Sequence, residues 1–339
     1  MVQESSEING ERLAALIGIS FAPPRLRVEL THALVESEDI DAVIEHLPRE
    51  YLRKGEEGLK RSEELKLETI SYLSPAYPPQ LRAIIMPPLV LFVRGRVERF
   101  EFPTKLIGVV GARAASLETC HRTSRLSYEL CEAGFSVVSG LALGIDGAAH
   151  RGALESSLAC PTLGVVAHGL DNVYPPTHHS LAEMIVAQGG ALISEYPPGV
   201  PAYKHHFLER NRIIAGLSQG VVVVAAGERS GSLVTARCAA DFGRDVFVDR
   251  GDGAEDLGPG ARRLIEDGAT PISSSEEILA EYGIIVQRVD ERKGERGWVI
   301  LSMTECRARL GVSEAEILKM ELTGRATRLP GNRVSVRLE

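Results

Sequence analysis

Between Lys105 and Glu266, short apolar runs alternate with helical intervals, and this rhythm restricts the chain to very few folds. The runs are Leu106–Val110, Phe135–Val138, Thr162–Ala167, Ala191–Ser194, Val221–Ala225 and Asp245–Val248. They are short and β-branched and lack polar alternation, the pattern of strands buried on both faces of a parallel sheet. The intervals Leu117–Cys131, Ile145–Glu155, His179–Gln188, Leu208–Leu217, Ser232–Phe242 and Ala261–Glu266 read as helices. Right-handed crossovers then place the loops that follow the strands on one edge of the sheet. The expected class is α/β with a mostly parallel sheet. A further short strand is expected at Leu89–Val93, closed by Gly95.

The flanks have a different texture. Leu13, Ala14, Leu16 and Ile17, then Leu30, Ala33 and Leu34, then Ile40, Val43, Ile44 and Leu47 recur at near-helical spacing around a Pro23-Pro24 break. Arg53–Lys66 reads as a solvated helix or a linker, and Tyr77-Pro78-Pro79 ends this helical unit. After about Tyr282, a charged, glycine-interrupted stretch at Arg288–Arg296 reads as a linker, and Trp298–Leu301 leads into a predicted helix. Ser313 and Glu316 have capping-box spacing before Ile317, Leu318, Met320 and Leu322. Leu329-Pro330-Gly331-Asn332 and Val334–Leu338 follow as a two-stranded wing. This layout is that of a winged-helix module. The segment from Glu291 carries ten Arg and Lys against seven Asp and Glu, which fits a DNA reader and a protein-interaction domain equally. The expected organisation is a helical domain at 1–70, an α/β domain at 71–284 and a winged-helix-like domain at 291–339.

A formal charge of −8 argues against a strongly cationic nucleic-acid coat, although one face can be positive while the total is negative. The five cysteines, Cys120, Cys131, Cys160, Cys238 and Cys306, form no CxxC pair and read as reduced intracellular residues rather than a zinc cluster. MVQESSEINGER has no cationic start followed by an apolar stretch, and no run is long enough to cross a bilayer. The expected location is the cytoplasm, with no membrane partner, no metal and no cofactor.

The polar turns at the strand ends carry the chemistry. Gly111-Ala112-Arg113 combines a tight turn with a guanidinium suited to phosphate. Ser139-Gly140 opens a glycine-rich stretch to His150, in which Asp146 reads as an organiser of the loop. Glu209-Arg210-Asn211-Arg212 starts an otherwise apolar helix and is preceded by Lys204, His205 and His206. Charges there are costly to bury without partners and fit phosphate and base contacts. Ser230-Gly231-Ser232 with Thr235 supplies hydroxyls and helix N–H donors. Tyr174-Pro175-Pro176 reads as a constrained surface loop, with His178 and His179 exposed on it.

Several chemistries lack their spacing. The first turn, Gly108-Val109-Val110-Gly111-Ala112-Arg113, misses the third glycine of a dinucleotide fingerprint, and no acidic residue closes the second strand. Neither GxxxxGKS nor GxxxxGKT occurs. Asp146 and His150 invite a hydrolase reading, but no GxSxG elbow accompanies them.

Taken together, Tyr77-Pro78, PPLVLFVRG, VVGAR, VVSGLALGIDGAAHRGAL, GLDNVYPP, SEYPPG, RNRIIAGLS and SGSLVTARCAADFGR resemble, in order, the DNA-processing protein A (Smf) family over roughly residues 70–270. The resemblance implies an extended Rossmann-like domain that binds single-stranded DNA, protects it during natural transformation and loads the RecA recombinase. It also implies a homodimer with no catalytic reaction. The DNA-contact candidates it implies are Gly111, Arg113, Ser139, Gly140, Lys204, Arg210, Asn211, Arg212, Ser230, Gly231, Ser232 and Thr235. Phe207 and Tyr203 fit base stacking and core packing equally well.

The chain departs from the family pattern in two places. It has GAR where GSR is commoner, and it replaces a Ser/Asn-rich rim by Asp249, Asp252, Glu255 and Asp256. Two alternatives to DNA binding stand beside the resemblance. One is a nucleotide-binding or nucleotide-hydrolysing enzyme, against which Ala226-Gly227-Glu228-Arg229 lacks the paired glycines of PGGxGT. The other is a protein-interaction scaffold.

Overall fold

The computed structural model describes residues 9–95, 101–251, 257–284, 298–302, 313–322, 326–329 and 333–337. The expected linker at Arg288–Arg296, the carboxylates of Asp252, Glu255 and Asp256, and Cys306 lie outside these residues. Two compact units divide the chain, Met1–Ile278 and Leu279–Glu339.

The first unit opens with four helices, α1 (Gly10–Ser20), α2 (Pro24–Ser37), α3 (Ile40–His46) and α4 (Arg49–Glu64). Asn9 caps α1 by accepting the Arg12 N–H at 2.9 Å, and Pro24 stands at the first position of α2, where its missing N–H costs nothing. The stretch read as a solvated helix or linker is α4, and it packs on α1. Gly55 permits the contact, because a Cβ there would run into the Ala14 carbonyl.

A nine-stranded sheet carries the rest of the unit. Its strands are β1 (Glu68–Ser71), β2 (Val90–Gly95), β3 (Leu106–Gly111), β4 (Ser136–Ser139), β5 (Thr162–Val165), β6 (Ala191–Ser194), β7 (Gly220–Val224), β8 (Asp245–Asp249) and β9 (Thr270–Ile272). The spatial order is β1-β2-β6-β5-β4-β3-β7-β8-β9, parallel throughout except for the β1–β2 and β2–β6 pairs. Two strands were not anticipated from the sequence. β1 is four residues long at the sheet edge, and β9 contains Pro271, which an edge strand tolerates because one side of its ladder is unpaired.

After β1 come α5 (Pro79–Arg82), α6 (Leu117–Glu132), α7 (Ile145–Leu154), α8 (His179–Ala187), α9 (His206–Leu217), α10 (Gly231–Asp241), α11 (Gly258–Glu266) and α12 (Ser275–Glu281). The strand order runs outward from β3 in both directions. Right-handed crossovers therefore lay α6, α7 and α8 on one face and α9, α10 and α11 on the other. Val221, Val222, Val223 and Val224 are fully buried between these layers. Such two-sided burial is the physical reason the strands read as unbroken apolar runs.

In the second unit, β10 (Trp298–Ser302), β11 (Ala326–Leu329) and β12 (Arg333–Arg337) form an antiparallel sheet in the order β10-β12-β11, with α13 (Glu314–Leu322) between β10 and β11 in the chain. The capping box forms as its spacing predicts. The Ser313 N–H donates to Glu316 Oε2 at 2.7 Å, and Ser313 Oγ accepts from the Glu316 N–H at 3.4 Å. The run Trp298–Leu301 is a strand, paired with β12 from Trp298↔Arg337 to Ser302↔Arg333.

Candidate functional site

In a sheet of this topology, ligands are expected in the crevice where the strand order reverses, between β3 and β7. Here that crevice is closed. The Ala112 N–H donates to the Val224 carbonyl at 3.2 Å, and the Ile145 N–H donates to the Ala112 carbonyl at 3.1 Å. A Cβ on Gly111 would strike the Val224 carbonyl and the Ile145 side chain. Gly111 therefore serves close packing, and the polar groups gather beside the crevice.

Arg113, next along the chain, is exposed. Its guanidinium carbon lies 5.3 Å from the Phe207 ring centroid, a cation–π contact with the first turn of α9. Phe207 in turn packs at 5.6 Å on Tyr174, which is 47% exposed. These three residues come from the turn after β3, the loop before α8 and the first turn of α9, and form one aromatic and cationic ledge. Lys204, exposed, and Tyr203, 53% exposed and stacked at 5.9 Å on His205, stand just before α9. Tyr203 and Phe207 thus have no fully buried role.

The turn after β4 is built differently. Ser139 is fully buried, and its hydroxyl donates to the Val109 carbonyl at 2.6 Å, so it acts inside the sheet. The N–H groups of Gly140 and Ala142 both donate to Asp146 Oδ2, at 3.1 and 3.3 Å. Asp146 thereby organises the loop, as its position suggested. Leu141 adopts a left-handed conformation (φ 58°), and its carbonyl is bonded by His178 Nδ1 at 2.9 Å. Beneath the turn lies Arg210, only 4% exposed, whose Nη1 donates to the Val165 carbonyl while Nε has no hydrogen-bond partner. Its guanidinium occupies the space a side chain on Gly140 would need. Burial lowers the Arg210 pKa to about 10, against the pull of Asp146, which leaves it charged at neutral pH. Burial pushes the Asp146 carboxyl above its usual range, with Arg210 as the strongest opposing influence.

The other anticipated residues divide. Asn211 is buried and donates from Nδ2 to the Gly231 carbonyl at 3.0 Å, tying α9 to the start of α10. Ser230 caps α10 by accepting the Ser232 N–H at 3.3 Å, and its hydroxyl lies 2.7 Å from that of Ser232. Ser232 and Thr235 are buried, whereas Gly231 is exposed. Arg212 points elsewhere, into an ion pair with Glu195.

Two sequence expectations need correction. His178, read as an exposed loop residue, is buried because its ring supports the Leu141 carbonyl, whereas His179 is exposed. Asp249, read as part of an acidic rim, is buried and pairs with Arg122 at 2.9 Å. In keeping with the absent nucleophile elbow, Asp146 and His150 are not bonded to each other. His150 Nδ1 lies 2.7 Å from Thr162 Oγ1 in the core, and burial lowers its pKa to about 3. Tyr174, read only as part of a surface loop, packs on Phe207 in the ledge, and an aromatic side chain before Pro175-Pro176 was the available signal. No group of His, Cys, Asp or Glu among the described residues is arranged to hold a metal, and no helix among them is long and apolar enough to cross a membrane.

Residues 68–283 match the family model described as DNA recombination-mediator protein A. The chain is 40% identical over 264 residues to Protein Smf of Escherichia coli, covering 74% of this chain and 69% of that protein. It is 38% identical over 243 residues to DNA processing protein DprA of Bacillus subtilis, covering 72% and 78%. Among solved structures, DNA processing protein A from Streptococcus pneumoniae superimposes with a TM-score of 0.67 at 32% identity, over 81% of this chain and 99% of that one. A structure of DNA processing protein A from Helicobacter pylori, concerned with its single-stranded DNA binding mode, gives a TM-score of 0.56 at 28% identity, over 64% and 95%.

Proposed function

This chain belongs to the DNA recombination-mediator protein A family, and from that premise we propose that it is a non-enzymatic single-stranded DNA binder that hands the strand to the RecA recombinase. The observation that carries the reading is the ledge of Arg113, Phe207 and Tyr174. An exposed guanidinium attracts phosphate, and neighbouring half-exposed rings accept unstacked bases of any sequence. Lys204 extends the cationic edge. Gly140, Arg210, Asn211 and the Ser230–Thr235 helix start form the floor, with Ser139 and Gly111 holding the strand ends beneath it. Arg212 is the weakest member of the expected set, because its charge is already paired. The protein is proposed to act in the cytoplasm as a homodimer, protecting the strand before recombination.

Fluorescence anisotropy with a labelled oligo-dT tests the reading. Binding is expected to tolerate changes of sequence and to weaken steeply as salt rises. Arg113→Ala is expected to lower affinity at least about tenfold, the equivalent of about 1.4 kcal/mol. Salt-independent binding, or an Arg113→Ala variant that binds like wild type, refutes it. Recombinase transfer is tested separately, by whether the protein speeds RecA assembly on oligo-dT.

A further inference from the structure

Asp146 is an unusual neighbour for a surface meant to attract phosphate. It is 6% exposed, sits on the second residue of α7, and reaches back to the N–H groups of Gly140 and Ala142 instead of capping its own helix. Its charge is felt by two cations, Arg210 beneath the turn and Arg113 at the rim. Gly140 lies between the carboxylate, which its N–H touches, and the Arg210 guanidinium, which fills the space of its missing side chain. Resting on the single-stranded DNA reading above, we infer that Asp146 is a charge-setting residue that holds the affinity of the turn for phosphate below what Arg210 and Arg113 would give alone.

The physical logic has two parts. A lone guanidinium as buried as Arg210 is costly unless an opposite charge and hydrogen bonds compensate it. Arg210 has one carbonyl bond, to Val165, and an unpartnered Nε, and the field of Asp146 is the strongest influence that favours its charge. The same field subtracts from the potential that a phosphate meets. With the carboxyl ionised, Arg210, Arg113 and Asp146 together contribute a net charge of about plus one, where the arginines alone would contribute about plus two. Asp146 also positions the turn, through its two N–H bonds. Both bonds go to a single oxygen, Oδ2, so an asparagine can accept them through its amide oxygen while losing the charge.

The test separates charge from shape. Asp146→Asn is expected to bind oligo-dT about three- to tenfold tighter than wild type in roughly 50 mM salt, a gain shrinking below about twofold near 0.5 M salt, where charges are screened. A merely structural role predicts the opposite, a loss of affinity at every salt concentration. Thermal unfolding establishes whether the variant folds. Should it fail to fold, Asp146→Ser, whose hydroxyl oxygen can still accept an N–H but carries no charge, takes its place in the same salt series. Tighter binding than wild type at low salt supports the charge-setting role, and equal or weaker binding overturns it. Arg113→Ala in the wild-type background keeps the two claims apart. If Arg113→Ala weakens binding but Asp146→Asn does not tighten it, the charge-setting role falls and the DNA reading stands. If Arg113→Ala changes nothing, the DNA reading falls first.

Discussion

Arg113 and Arg210 carry the same charge at the same edge of the sheet, yet they are built in opposite ways. Arg113 is exposed and lies over the Phe207 ring, with no ion pair among the described residues. Arg210 is buried beneath Gly140, bonded to the Val165 carbonyl and faced by Asp146. One guanidinium is free to meet a ligand, and the other shapes the floor and its potential. A cation beside a glycine turn is therefore not one kind of signal. Its role depends on whether the fold leaves it in water or covers it.

The largest expected effect tests the buried side. Arg210→Ala leaves Asp146 without its main counter-charge and the Val165 carbonyl without its donor, and is expected to cost about 3 kcal/mol or more of stability in urea denaturation. Arg113→Ala, at an exposed position, is expected to change stability by less than about 0.5 kcal/mol. Equal stability losses for the two variants would break the contrast.

The exposed side is tested next. Phe207→Ala and Tyr174→Ala are each expected to weaken oligo-dT binding by about 1–3 kcal/mol, the range for one base stacked on an aromatic ring. Their salt slopes are expected to match wild type, because neither change removes a charge. A changed slope would mean that the rings act by placing Arg113, not by stacking.

A third test uses pH. His150 is buried and neutral, with a pKa lowered to about 3, whereas in the unfolded chain it titrates near its ordinary value of about 6.5. Between those values the unfolded chain binds a proton that the folded chain does not, so stability falls as pH falls. From pH 7 to 5.5 the expected loss is about 1 kcal/mol. The raised Asp146 carboxyl works in the opposite direction, so the measurement is the difference between wild type and His150→Gln, in which Asp146 is common. A variant with the same pH slope as wild type would mean that His150 does not contribute to the acid sensitivity of the buried region.

Much of this arrangement was legible in the sequence. The strands β3 to β8 coincide with apolar runs, because burial on both faces favours apolar residues through most of their length. β1 and β9 were not, since Glu68-Thr69-Ile70-Ser71 and Thr270-Pro271-Ile272 at the sheet edges hold a single isoleucine each and form no apolar run. Among site residues, composition and spacing located Arg113 and Arg210 but could not separate them. Exposure depends on which segments converge, and Tyr174, in a loop, and Phe207, in the first turn of α9, are more than thirty residues apart in the chain. Asp249 and His178 misled for the same reason. Polar residues in loops read as surface, whereas here one meets Arg122 and the other supports the Leu141 carbonyl.

The smallest expected effect concerns the third arginine. Arg212 stands two residues after Arg210, about 200° around α9, and therefore on the far side of the helix from the turn that Arg210 supports. Its guanidinium pairs with Glu195, and its side chain is only one-fifth exposed. A charge already neutralised and turned from the ledge adds little to the field that a phosphate meets. Arg212→Ala is accordingly expected to change oligo-dT affinity by less than about twofold while lowering stability by about 1–3 kcal/mol, since the part-buried Glu195 is left unpaired. A tenfold loss of affinity would instead mean that the strand wraps around α9 to reach Glu195 and Arg212. The site would then have two exposed arms, and the division between Arg113 and Arg210 would no longer describe it.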